Sequence, residues 1–183
     1  VERPRDMTSA IRAFLATGGV VRVTRALLAG YDLMQDAPEA GDRSLARAGL
    51  NDAHRTRLLG SGWTSDTLRA ALLGPLRHDL VFVAAHAKHY AHEAPRNGGL
   101  YAREIAEADA DRAGVVAFGL ACHGGLNVPG AKHPEPMDFP EAWLGRGASY
   151  LGSSGWAYGQ QDGLQWEESL MALRVNLLFD TPD

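Results

Sequence analysis

Gly114 to Gly125 reads GVVAFGLACHGG. An apolar run rich in strand formers ends at Cys122, the single cysteine of the chain, and two glycines follow. Asp79 to His86, DLVFVAAH, repeats the shape, with a His at its end. Both runs are continuously apolar rather than alternating, which is how a strand buried on both faces reads. The pattern therefore predicts two strands of a covered parallel sheet that deliver His86 and Cys122 to one edge. Gly124 and Gly125 are expected to supply the sharp turn after Cys122 and to leave backbone N–H groups free for a substrate.

Outward from these runs, helical and strand-like segments alternate. Pro4 opens a helix pattern with Ile11, Phe14 and Leu15 on one face, ended by Gly18-Gly19. Val20 to Ala29 reads as a strand, with Gly30-Tyr31-Asp32 at its end. Asp36 to Asp42 reads as a loop, Ser44 to Gly49 as a short helix and Arg57 to Leu59 as a short strand. Thr64 or Ser65 caps a helix that stops at Gly74-Pro75, with Trp63 as its hydrophobic staple. After the strand Leu80–Ala85, residues 87–100 read as a loop and Leu100 to Ala108 as a helix. The loop beyond Cys122 contains Pro129, Pro134 and Pro136. Phe139 to Arg146 reads as a helix carrying Trp143, and Ser149 to Leu151 as a short strand leading into Gly152-Ser-Ser-Gly-Trp. Leu164 to Phe179 is read as the longest helix, with Trp166, Leu170, Leu173 and Leu177 on its core face. Strands alternating with helices imply an α/β fold: a three-layer α/β/α sandwich with a mainly parallel sheet. Ligands of such sheets bind beyond the carboxyl ends of the strands. Asp32, His86, Cys122 and the Gly152–Trp156 segment all fall there.

Composition sets outer limits. The chain has 183 residues, 45% of them hydrophobic and 22% charged, which suits one globular domain. Its formal net charge is −4, so no basic excess exists to bind nucleic acid or an anionic membrane. No apolar run reaches the roughly 20 residues that span a bilayer, no signal-peptide pattern opens the chain, and one cysteine excludes an internal disulfide. There is no internal repeat and no phosphate-binding glycine loop. The chain opens at Val1 and runs straight into a helix pattern, so residues 1–183 read as the C-terminal part of a longer catalytic region.

A lone cysteine is most often a small buried hydrophobe. The convergence of four strand ends lifts Cys122 above that reading. A cysteine nucleophile needs an accessible thiolate, a His to take its proton and donors facing the oxyanion. Cys122, His86 and the N–H groups of Ala87 and Cys122 can supply these. The same neighbourhood allows a rival: His86, His89, His92, Cys122 and His123 include the ligand types of zinc. Against it, only one Cys is present, and Pro95 with its neighbouring glycines argues against a helix aligning His89 with His92. Those two read as solvated loop residues, and His123 as orienting the cysteine loop. Glu167-Glu168 reads as a solvated helix face.

A His at one strand end, Ala121-Cys122 at the next and Gly-Ser-Ser-Gly-Trp after a third together resemble the caspase-like cysteine peptidases, most closely the bacterial gingipain family. The resemblance runs through the Val1–Gly19 helix, Gly30-Tyr31-Asp32, Leu80–His86, Val115–Gly125 and Phe139–Gly159. It implies that Cys122 is the nucleophile and His86 the general acid/base. It further implies that Ser153, Ser154, Gly155 and Trp156 line the pocket for the side chain before the scissile bond. Asp32 is the acidic candidate present for orienting the His or for that pocket, or caps a turn. One departure is Ala87, where the family usually has Gly. The resemblance thus implies a cysteine endopeptidase acting on a protein or peptide substrate through a thioester, with no cofactor. The alternative is a caspase-like scaffold with an idle site. The remaining N-terminal part of the parent chain is the expected partner. The protein is expected to be soluble and bacterial, with the cytoplasm favoured over secretion.

Overall fold

A computed structural model describes residues 4–129, 132–135, 137–159, 163–164 and 166–177, the side chains of 166, 167, 176 and 177 excepted. Five strands form the main sheet: β1 (Ala26–Gly30), β2 (Arg55–Leu59), β3 (Leu80–Ala84), β7 (Val116–Leu120) and β8 (Ser149–Gly152). Their order is β2-β1-β3-β7-β8, and every neighbouring pair is parallel. β1 and β3 are buried along their whole length, as their unbroken apolar sequences require. Alternate residues feed two cores. Leu27, Ala29, Val81, Val83 and Ala117 pack on one face with α3 (Ser65–Leu73), α4 (Ala102–Glu107) and α5 (Phe139–Gly145). Leu28, Leu80, Phe82, Phe118 and Leu120 pack on the other with α2 (Asp36–Arg47) and α6 (Trp166–Leu177). The fold is the three-layer α/β/α sandwich with a parallel sheet. No helix among the described residues is long and apolar enough to cross a membrane.

Several local expectations are corrected. The first strand covers Ala26–Gly30, not Val20–Ala29. The Asp79 carboxylate accepts from the Thr24 N–H at 2.8 Å and the Thr24 hydroxyl at 2.7 Å. A side chain thus holds backbone that a strand neighbour would otherwise bond. The expected loop Asp36–Asp42 is the first half of α2. Pro38 sits in its first turn, where a missing N–H costs nothing, and Asp36 and Glu39 favour the helix dipole. Gly41 faces the sheet at this helix–sheet contact, where a Cβ would lie 3.4 Å from Leu28 and 3.5 Å from Phe82.

The stretch 87–100 is not a loop but a small antiparallel sheet of β4 (Ala87–Lys88), β5 (Ala91–Glu93) and β6 (Gly99–Tyr101). His92 is accordingly buried at 3% exposure and packs on Phe139 with ring centroids 4.1 Å apart, rather than standing in solvent. On α6 the expected core face is rotated. Leu170 and Leu173 are exposed, while Glu168, Met171, Ala172 and Val175 are buried. Glu168 is therefore no solvated face; the side chains of Trp166, Glu167 and Leu177, and Phe179 altogether, lie outside the described residues. α1 (Pro4–Ala16) leans on α5, burying Asp6 and exposing Ile11, Phe14 and Leu15. Trp143 on its helix face is a core residue, and Trp63, expected as a helix staple, is buried in the same cluster.

Candidate functional site

The order β2-β1-β3 reverses between β1 and β3, and a crevice opens at the carboxyl ends of the strands flanking such a reversal. Asp32 follows β1 and His86 follows β3, so both stand at this crevice. β3 and β7 pair Ala84 with Leu120, and the Ala85 N–H still donates to the Leu120 carbonyl at 3.1 Å. His86 and Cys122 each follow two residues beyond these paired strand ends, so both stand at the carboxyl edge of neighbouring strands, Cys122 in the turn that closes with the Gly124 N–H on the Ala121 carbonyl. Beyond β8, on the far side of β7, come Ser153 to Trp156.

His86 is held from two sides. Its Nε2 lies 3.6 Å from Asp32 Oδ2, and both side chains are close to half exposed. Its ring meets the Tyr31 ring edge-on at 5.8 Å, and Tyr31 in turn meets Trp63 at 5.6 Å. Trp63 anchors this stack through its Nε1–H, which donates to the Gly30 carbonyl at 3.4 Å. Burial raises the Tyr31 hydroxyl above its ordinary value, opposed by a hydrogen bond with the His86 backbone. Asp32 adopts φ 57°, in the left-handed region, which costs a non-glycine residue energy and aims its carboxylate by backbone geometry. Asp32 thus meets His86 directly, rather than serving only as a pocket acid.

Cys122 is half-buried and free. Its thiol donates to the Ala157 carbonyl at 3.6 Å and makes no hydrogen bond to His86. The segment after β8 folds back along the cysteine loop: the His123 N–H donates to Gly155 O at 2.7 Å and the Gly125 N–H to Ser153 O at 2.8 Å. The His123 ring sits edge-on to Trp156 at 5.1 Å. Ser153 is buried, Ser154 and Gly155 are exposed, and Trp156 is 67% exposed beside the thiol loop. Ser153, Gly155 and Trp156 therefore lie against His123 and Gly125 of the loop that follows Cys122.

The turn after Cys122 is made differently from the sequence expectation. The left-handed residue is His123, at φ 59°, not a glycine. Gly124 and Gly125 do not leave free N–H groups, because theirs bond Ala121 and Ser153. Gly125 is needed for close approach: a Cβ there would lie 2.1 Å from the Gly152 carbonyl oxygen.

The donors that remain are those of Ala87 and Cys122. The Glu93 N–H donates to His86 O at 2.7 Å, making His86 and Glu93 a bonded pair of the β4–β5 hairpin. Bonded and non-bonded pairs alternate, so the Ala87 N–H points away from β5. No backbone carbonyl among the described residues accepts from Cys122 N–H.

The zinc alternative finds no ligand set: among the described residues no three His, Cys, Asp or Glu side chains gather to hold a metal ion. His92 is committed to the core, while His89 packs against His133 at 4.5 Å. Sequence reasoning missed the Tyr31–Trp63 stack beside His86 and the Ala157 carbonyl beside Cys122. Gly30-Tyr31-Asp32 was the only signal for the first, and nothing in the sequence marked the second.

No family model matches the chain, and no curated protein matches it. Among solved structures it is similar to the Streptococcus pneumonia TIGR4 flavodoxin, at 11% identity and a TM-score of 0.44, over 84% of this chain and 96% of that one.

Proposed function

We propose that the chain is a cysteine endopeptidase of the caspase–gingipain type. The observation that carries this reading is that β3 and β7 are parallel neighbours whose paired ends, Ala84 and Leu120, lie two residues before His86 and Cys122. Asp32 Oδ2 lies 3.6 Å from His86 Nε2, and in this reading the carboxylate steadies that nitrogen while Nδ1 takes the thiol proton. The Cys122 thiolate attacks the scissile carbonyl carbon. The oxyanion meets the N–H groups of Cys122, which has no backbone acceptor among the described residues, and of Ala87, which points away from β5. His86 then protonates the leaving amine, the acyl group remains as a thioester on Cys122, and water attacking through His86 releases the acid and the free thiol. The exposed Trp156 offers an apolar wall to the residue before the scissile bond. Alkylation by an iodoacetamide probe tests the nucleophile. Rapid labelling at Cys122 is expected, slowed strongly in His86→Ala; labelling at the rate of an ordinary exposed thiol in both proteins would reject the dyad.

A second reading, a caspase-like scaffold with an idle site, is favoured by the thiol's hydrogen bond to Ala157 rather than to His86. The same labelling separates the two, because an idle site leaves Cys122 no more reactive than a free cysteine.

A further inference from the structure

A second polar constellation lies at the opposite edge of the sheet, where the strands begin. A groove of about 510 Å³ opens between α1 and the loops leading into β7 and β8. Ser9 and Arg12 line it from α1, Asp111 and Arg112 from the loop before β7, and Arg146 and Gly147 from the loop before β8. Arg112 is only 2% exposed, which is rare for a cation without a carboxylate of its own. Its Nη2 donates to the Leu72 carbonyl, and its Nε finds no acceptor among the described residues. Arg146 Nη2 donates to the carbonyls of Ala108 and Ala110. Arg77, behind the groove, bonds the Ala113 carbonyl at 2.7 Å and the Asp111 carboxylate at 2.9 Å.

These carbonyls satisfy guanidinium donors without cancelling their charge. Asp111, the carboxylate in the groove wall, is already shared with Arg77. Burial, and then the charges of Arg77 and Arg146, lower the Arg112 proton affinity, which marks mutual repulsion. Among the lining residues Arg12, Arg112 and Arg146 stand against the single carboxylate of Asp111, an excess of two positive charges, while Arg77 behind them is paired with Asp79 as well as Asp111. A phosphate group carries about −1.5 to −2 near neutral pH and accepts from guanidinium forks in bidentate fashion.

We propose that this groove binds the phosphate group of a soluble small molecule, at a site separate from Cys122. The net charge of −4 provides no long-range field for a polyanion, which favours a small ligand over nucleic acid.

Calorimetric titration of the full chain with pyrophosphate at constant ionic strength tests this. One saturable site is expected, weakened about tenfold or more in Arg12→Ala, since charge-assisted bonds are the strong ones. Arg12 is exposed, so its loss should leave the fold intact by circular dichroism. Arg112→Met should abolish binding if it folds; if it does not, Arg12→Ala decides alone. A parallel arm uses phosphatidylcholine vesicles containing phosphatidic acid. Pyrophosphate binding without co-sedimentation supports a soluble ligand, whereas Arg12-dependent co-sedimentation overturns it in favour of a lipid headgroup. No saturable heat up to about 10 mM, above the usual range of specific affinities, or equal binding by wild type and Arg12→Ala, overturns the site altogether.

Discussion

Asp32 and His86 follow strands separated in sequence by α2, β2 and α3, yet stand 3.6 Å apart because β1 and β3 are neighbours in the sheet. A half-exposed pair at that distance is worth little to stability. In the proposed mechanism its value lies in fixing which imidazole nitrogen faces the thiol. Asp32→Asn is therefore expected to leave stability unchanged within about 0.5 kcal/mol. It should lower kcat about tenfold with KM little altered, the low end for losing a contact to a charged group. Steady-state kinetics on a peptide substrate checks the split; a rise in KM with kcat unchanged would return Asp32 to the substrate pocket. His86 and Cys122 were legible in the sequence because each ends an unbroken apolar run. The Asp32 contact was not, since the αL turn that aims the carboxylate leaves no mark in a non-glycine residue. Nor was the Tyr31–Trp63 stack, which depends on which strands are neighbours.

At the scale of elements, the thiol loop and the segment after β8 are clasped by two backbone hydrogen bonds and the close contact of Gly125 with Gly152. Gly125→Ala puts a methyl group where the Gly152 carbonyl stands. The loops must part, at a cost of about 1–3 kcal/mol, as for other overpacked sites. Denaturant unfolding should show that loss, and labelling of Cys122 should change with it. Unchanged stability would mean that the clasp does not hold the site. α2 and the small sheet β4-β5-β6 were illegible for opposite reasons. Pro38 and Gly41 look like loop punctuation but serve a helix start and a close helix–sheet contact. Strands of two or three residues carry too few side chains to show alternation. The buried face of α6 was missed because it carries Glu168, while leucines occupy the exposed one.

At the scale of the whole molecule, the sandwich buries histidines that resist protonation. Burial pushes His92 down to about 3 and lowers His78 as well. The folded value of His92 lies below its unfolded value near 6.5, so between those limits the unfolded chain binds the extra proton. Stability is present in full above pH 6.5 and declines as pH falls toward 3. From pH 7.5 to 5 the His92 contribution should fall by about 2 kcal/mol. His92→Leu is expected to flatten this slope in chemical denaturation, and an equally steep slope in the variant would show that His92 does not carry it.

The same molecule, incubated with a mixture of peptides and read by mass spectrometry, tests the peptidase reading most directly. Wild type should cut peptides and carry a transient acyl adduct on Cys122, and Cys122→Ala should do neither. Cleavage surviving in Cys122→Ala, or no cleavage by the wild-type chain, would contradict a Cys122–His86 peptidase.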